Sequence, residues 1–238
     1  RIIKDCIARG KTRLGELDGI GILESYGFKV LPTRLAQTAD DAAAIAAEMG
    51  LPVVMKIVSE QILHKSDAGG VMVGLQTVEE VKQAFDAIVS RGRAYKADAV
   101  IEGVLVQKMA AKGTEVILGL NRYPVFGPLL MFGIGGIFVE VFQDVTFRLA
   151  PIGRNEARRM VRQIKGYKLL QGFRGRPKGD IETIEKCLVG LSHMAINHPE
   201  IVELDINPLL VHSEGQGATA ADCRMILRAP GDTLPAGH

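Results

Sequence analysis

Apolar and polar positions alternate along the stretch Ile201 to Leu210. Leu204, Ile206 and Leu210 fall on one face of a strand and Glu203, Asp205 and Asn207 on the other, the period of a half-buried strand. The following H-S-E-G-Q-G-A reads as a turn, and T-A-A-D-C-R-M-I-L returns as the second arm of a hairpin. Counting back from the middle of the turn puts Asp222 within about one residue of opposite Asn207. Earlier in the chain, residues 1–28 have a helical pattern that stops at Gly27, and Lys29 to Leu35 reads as a strand. Thr38 caps a helix over Ala39 to Met49, ended by Gly50. The apolar, β-branched run from Val53 predicts a strand ending at Lys56, and a second strand covers Val71 to Leu75. Thr77 and Glu80 form a capping box for a helix to about Arg91.

From Ala99 the pattern becomes strand after strand: Ala99 to Met109, Glu115 to Asn121, Pro128 to Phe132, Phe138 to Phe142 and Thr146 to Pro151. Strands without intervening helices mean an antiparallel sheet. Helices follow at about Asn155 to Ile164 and Ile181 to His198, and the tail after Leu227 is turn-rich.

Composition narrows the partners. The chain has 238 residues, 47% hydrophobic and 24% charged, enough for a large domain or two lobes with real cores. A formal net charge of +2 argues against nucleic acid, which demands concentrated basic surface. One local exception is Arg154 to Lys178, with nine basic residues against one acid, Glu156. It reads either as a solvated face or as a surface for a polyanion such as coenzyme A or for an acidic partner. Cys6, Cys187 and Cys223 are widely spaced and contain no C-x-x-C, so the expected setting is a reducing cytoplasm. The longest uncharged run, Tyr123 to Val139, is short for a membrane span and is broken by glycines and prolines. The start at Arg1 instead of methionine reads as a piece of something longer.

Two stretches carry candidate chemistry. In V-V-M-K-I-V-S-E-Q-I-L-H-K-S-D-A-G-G-V, Lys56 supplies a positive charge, His64 a ring nitrogen able to accept a phosphoryl group, and Gly69 and Gly70 a backbone that an anion can approach. The same residues also fit a solvated lysine, a structural histidine and a turn. On the later hairpin, Asp205, Asn207 and Asp222 converge as two or three hard oxygen ligands. Such a sparse set suits Mg²⁺, which takes its remaining ligands from water and substrate phosphates; the alternative is the polar outer face of an edge hairpin. The glycines of F-G-I-G-G-I-F (Phe132 to Phe138) admit either a phosphate-bearing ligand or a tight bulge.

Taken together, K-I-V-S-E-Q-I-L-H-K-S-D-A-G-G-V, G-V-L-V-Q, G-T-E-V-I-L-G, F-G-P-L-L-M-F-G-I-G-G-I-F-V-E, F-R-L-A-P and E-L-D-I-N-P-L-L-V resemble, in this order, the ATP-grasp domain of ADP-forming acyl-CoA synthetases. The chain is similar, more distantly, to the nucleotide-binding part of succinyl-CoA synthetase β chains. The resemblance implies an α+β ATP-grasp fold whose two lobes clasp a nucleotide between antiparallel sheets. Residues 1–16 would be a linker or helix, 17–110 the first lobe, 111–228 the second, and 229–238 a loose tail. It further implies that Lys56 contacts nucleotide phosphates, that Val106, Gln107, Lys108 and Met109 form the hinge beside adenine, and that Glu115 faces the nucleotide. Asp205, Asn207 and Asp222 would hold Mg²⁺. His64 would relay a phosphoryl group between a histidine of the partner and ADP or ATP. The implied partner is a CoA-binding α subunit or a fused CoA-binding domain. A regulatory domain of a fused protein acetyltransferase and another ATP-grasp carboxylate ligase are the alternatives.

Overall fold

Helices α1 (Ile2–Ala8) and α2 (Glu16–Ser25) come first, then strands β1 (Lys29–Val30) and β2 (Thr33–Ala36), helix α3 (Ala39–Met49), strands β3 (Val53–Val58) and β4 (Val71–Leu75), and helix α4 (Val78–Tyr95). Strands β5 (Gly103–Lys108), β6 (Thr114–Tyr123), β7 (Gly127–Ile134) and β8 (Val145–Leu149) precede helices α5 (Arg154–Gln163), α6 (Tyr167–Leu170) and α7 (Ile181–Asn197). The chain closes on β9 (Ile201–Val211), β10 (Ala218–Ala220) and β11 (Cys223–Leu227). The structure is a computed structural model and describes residues 1–62, 64–136, 143–175 and 177–229. The expected strand Phe138 to Phe142 and nearly all of the expected tail lie outside the described residues.

Contacts divide the chain into two units, Leu31–Ala110 and a second made of Arg1–Val30 with the chain from Ala111 onward. The Leu31–Ala110 unit is a four-stranded sheet in the order β2-β5-β3-β4, antiparallel at every pairing. Helices α3 and α4 cover one face: Ile45, Ala46, Val81, Ala84 and Ile88 form a core with Val53, Met55, Ile57, Val104 and Val106. Both helices begin at the caps read from the sequence. The Asp41 N–H donates to Thr38 Oγ1 at 3.1 Å. At α4 the Glu80 N–H donates to Thr77 Oγ1 at 3.1 Å while the Thr77 N–H donates to Glu80 Oε2 at 3.2 Å, satisfying two N–H groups that the helix itself leaves over.

In the other unit seven strands form one sheet, ordered β1-β10-β9-β6-β7-β8, with β11 also paired to β9. Val116, Leu118, Leu120, Leu130, Phe132, Leu204 and Ile206 pack on one face against Met160 and Val161 of α5 and Ile184, Leu188 and Leu191 of α7. The opposite face carries Glu203 and Asp205, whose cross-strand neighbours on β6 are Asn121 and Gly119.

The structure corrects the expected layout in three places. Residues 17–30 do not belong with the first lobe: β1 pairs in parallel with β10, and Leu23 and Phe28 lie in the same core as Val116 and Leu204. The strand expected over Lys29 to Leu35 is broken at Leu31-Pro32 into β1 and β2, which join different sheets. Finally, Lys56 does not end its strand; β3 runs on to Val58. Among the described residues no helix is long and apolar enough to cross a membrane.

Loss of the α4 cap gives a direct check on this packing. Thr77→Ala is expected to lower unfolding stability by about 1 kcal/mol, seen as a lower urea midpoint at unchanged slope.

Candidate functional site

The acidic cluster begins with a problem of backbone chemistry. Strand β9 is paired on both sides, to β6 and to β10 and β11, yet it contains Pro208, which has no N–H for the ladder. The β6 register resolves it: Val116 pairs with Leu209 and Leu118 with Ile206, so Asn207 and Pro208 together face Ile117. This is a bulge, a device that bends a strand and re-aims its side chains. On the other side Ala220 pairs with Leu209 and Cys223 with Ile206. The same register carried through the gap between β10 and β11 sets Asp222 opposite Asn207. The Ala221 N–H donates to Pro208 O at 3.0 Å and the Cys223 N–H to Asp222 Oδ1 at 2.9 Å, which fixes the turn.

Charge at this cluster is unbalanced. Burial pushes the Asp205 carboxyl up to about 6, and the neighbouring Asp222 and Glu203 carboxylates push the same way, while Arg224 opposes them. Arg224 stands opposite Asp205, but its guanidinium donates to Glu203 Oε1 at 2.7 Å. Two carboxylates and an amide oxygen with excess negative charge match the hard-oxygen preference of Mg²⁺. Among the described residues no group of three or more His, Cys, Asp and Glu could hold a metal by itself. These residues therefore fit a cation that completes its shell elsewhere, as Mg²⁺ does with water and phosphate oxygens.

Glu115 lies on β6 opposite Leu210 and is exposed. Its carbonyl accepts the Gly135 N–H at 2.8 Å, and a Cβ added at Gly135 would lie 3.1 Å from the Glu115 backbone carbon. The described glycines of F-G-I-G-G-I-F thus permit close approach within the chain; Ile137 and Phe138 lie outside the described residues.

In the Leu31–Ala110 unit, Lys56 and Gln107 stand on the sheet face opposite the helices. Lys56 pairs with Leu105 and Val54 with Gln107, and alternation turns all four away from the Met55, Ile57, Val104 and Val106 core. Lys56 is 9% and Gln107 3% exposed, unusual burial for such side chains. The Gln107 amide is held: its Nε2 donates to Thr33 Oγ1 at 2.9 Å.

The other residues expected at the hinge and in the loop are placed differently from one another. The Val106 side chain is fully buried on the helix side, so only Gln107 of this pair presents a side chain to the opposite face. The Lys108 ammonium donates to Gly50 O at 2.6 Å, where it also meets the negative end of the α3 dipole. Met109 is exposed. The structure corrects the role given to Gly69 and Gly70. Their N–H groups donate to Ser66 O at 3.0 Å and Lys65 O at 2.7 Å, so neither is offered to an anion. Gly69 is required by its φ of +61°, and Gly70 because a Cβ there would sit 2.5 Å from Ile57 Cγ2. His64 is exposed on a loop pinned by Ile62 and Ala68, both of which lie in the core. Past Ala68 the chain runs close to Arg91 of α4 at Gly69 and to Ile57 at Gly70.

Two residues escaped the sequence reading. Arg224 was legible, since carrying the hairpin register two residues past Asp222 reaches it opposite Asp205. Thr33 left no signal, because its role depends on a contact 74 residues away along the chain.

Comparisons with known proteins follow the same lines. A family model described as "ATP-grasp domain" matches residues 5–227. The chain is 43% identical over 229 residues to the acetate–CoA ligase [ADP-forming] II subunit beta of Pyrococcus furiosus, covering 96% of this chain and 97% of that protein. It is also 43% identical over 226 residues to acetate–CoA ligase [ADP-forming] I of Archaeoglobus fulgidus, 95% of this chain but 32% of that longer protein. Among solved structures it resembles the dinucleotide forming acetyl-coenzyme A synthetase 1 of Ca. Korarchaeum cryptofilum in two complexes, each covering 95% of this chain and 98% of that one at 40% identity. One, at TM-score 0.88, holds coenzyme A, acetyl-coenzyme A and a phosphorylated phosphohistidine segment in the site I orientation. The other, at TM-score 0.84, holds coenzyme A and Mg-AMPPCP, with that segment pointing towards the nucleotide binding site.

The raised Asp205 carboxyl makes stability depend on pH in a definite direction. Folded Asp205 keeps its proton up to about pH 6, against an ordinary value of 3.8. The folded chain therefore binds more protons between these values, and this group's contribution falls as pH rises from about 4 to about 6. In EDTA, urea midpoints measured across that window are expected to show this decline and to lose it in Asp205→Asn. Equal pH slopes for the two proteins would mean that Asp205 titrates as an ordinary aspartate.

Proposed function

We propose that this chain, which belongs to the ATP-grasp family together with the β subunits of ADP-forming acetate–CoA ligases, is the nucleotide-binding component of an ADP-forming acyl-CoA synthetase and carries phosphoryl groups on His64. The observation that carries the reading is an exposed histidine on a loop pinned at both ends by core residues, in a chain that also presents a buried lysine and an acidic cluster whose Asp205 carboxyl is raised by burial. The reaction is acyl-CoA + ADP + phosphate = carboxylic acid + CoA + ATP. A CoA-binding α subunit, or an equivalent fused domain, supplies the acyl chemistry. The buried, unbridged cysteines agree with a reducing cytoplasmic setting.

Each residue has one task. Lys56 binds nucleotide phosphate and Gln107 the base, with Glu115 facing the nucleotide. Asp205, Asn207 and Asp222 hold Mg²⁺, which when bound supplies charge neutralisation for phosphoryl transfer. A neutral imidazole nitrogen of His64 attacks phosphorus on the partner's phosphohistidine; a P–N bond forms on His64 as the partner's P–N bond breaks. A terminal phosphate oxygen of ADP then attacks the phosphorus on His64, the second P–N bond breaks, and imidazole is restored as ATP forms. In this reading the His64 loop swings between the partner's phosphohistidine and ADP. The two orientations of the Korarchaeum protein's phosphohistidine segment support that motion.

The test uses the chain assembled with its CoA-binding partner. His64→Ala is expected to lower the rate of ATP formation from acyl-CoA, ADP and phosphate by about 10³-fold or more, with nucleotide Kd changed by less than about twofold. A variant that keeps its rate would remove His64 from the mechanism.

A further inference from the structure

Gln107 sits on the interior strand β5 with 3% of its surface exposed, and the chain dictates which way its carboxamide points. Its Nε2 lies 2.9 Å from Thr33 Oγ1, and Thr33 Oγ1 lies 2.9 Å from the Leu31 carbonyl oxygen. A carbonyl oxygen can only accept, so the single hydroxyl proton of Thr33 goes to Leu31. Thr33 is left as an acceptor towards Gln107, and of the two amide ends only the nitrogen can donate. Turning the amide over would set two oxygens against each other with no proton between them. Gln107 Oε1 has no hydrogen-bond partner among the described residues, nor is it among the side-chain atoms sealed from solvent without one. It remains as an acceptor within reach of a ligand.

We propose that Thr33 is a positioning residue that sets base selectivity: by locking the Gln107 amide it makes the chain accept adenine nucleotides and disfavour guanine nucleotides. This rests on the assignment of Gln107 to the base in the proposed function. Adenine carries an exocyclic amine that donates where guanine carries a carbonyl that accepts. Oε1 pairs with the amine. Against the guanine carbonyl it leaves two buried acceptors facing each other, and a site built around one hydrogen-bonding pattern rejects the inverse through such unpaired groups. A glutamine free to rotate would serve either base by presenting its other end; Thr33 removes that freedom.

Calorimetric titration of the full chain with Mg-ATP and Mg-GTP separates the possibilities. The native chain is expected to bind ATP about tenfold or more tightly than GTP. Thr33→Val keeps the β-branched shape without the hydroxyl, and Thr33→Ala provides a second hydroxyl-free variant if packing suffers. Both should bring the two affinities within about threefold, chiefly by strengthening GTP, whereas Thr33→Ser should restore the native ratio. A native ratio near one, or a ratio unchanged in Thr33→Val and Thr33→Ala, overturns the proposal while leaving Gln107 at the base. If Gln107→Leu alters neither affinity, or if the native chain binds neither nucleotide, the assignment of Gln107 fails and this inference fails with it.

Discussion

Among the described residues each sheet packs its helices against one face, and strand alternation sorts side chains into those that hold the fold and those that remain for a ligand. On β3 and β5 the first set is Met55, Ile57, Val104 and Val106 and the second includes Lys56 and Gln107. On β9 the same sorting puts Leu204 and Ile206 in the core and Glu203 and Asp205 on the other face. The rest of the candidate chemistry follows from that division, because it keeps polar groups off the core face.

Burial gives these groups their character. Asp205 is desolvated enough for its carboxyl to rise to about 6, and Arg224, the nearest cation on its strand pair, is engaged with Glu203. Removing charge from water without full compensation is costly, and a divalent cation is the simplest compensation the cluster can receive. The Asn207-Pro208 bulge belongs to the same design: it lets an interior strand carry the proline on its β6 side, while the register towards β10 and β11 that opposes Asn207 and Asp222 runs through unshifted. His64 follows a different logic. It is exposed, and Ile62 and Ala68 on either side of it are held in the core.

Much of this was legible in the sequence where a local rule governs. The helix over Ala39–Met49, the capping box at Thr77 and Glu80, and the strand Val71–Leu75 follow from caps and periodicity, and the structure has them. The placing of Asp222 opposite Asn207 was readable from a turn and a count of residues. Long-range packing was not. Nothing in residues 17–30 announces that β1 would pair with β10, nearly two hundred residues later. The Gly69-Gly70 pair resembled an anion cradle because sequence shows the freedom of glycine without showing that the loop's own carbonyls take both N–H groups. Val106 and Gln107 are adjacent in sequence and opposite in facing, a difference that only the core partners of β5 decide.

The central claim is that His64 carries phosphate between a partner and a nucleotide. The most direct measurement assembles the chain with its CoA-binding partner, supplies Mg²⁺ and γ-labelled ATP, quenches rapidly, and maps the acid-labile, base-stable label by peptide. Label is expected on the peptide containing His64, discharged to ATP when ADP is added. Label confined to the partner, with none on His64 at any quench time, would contradict it.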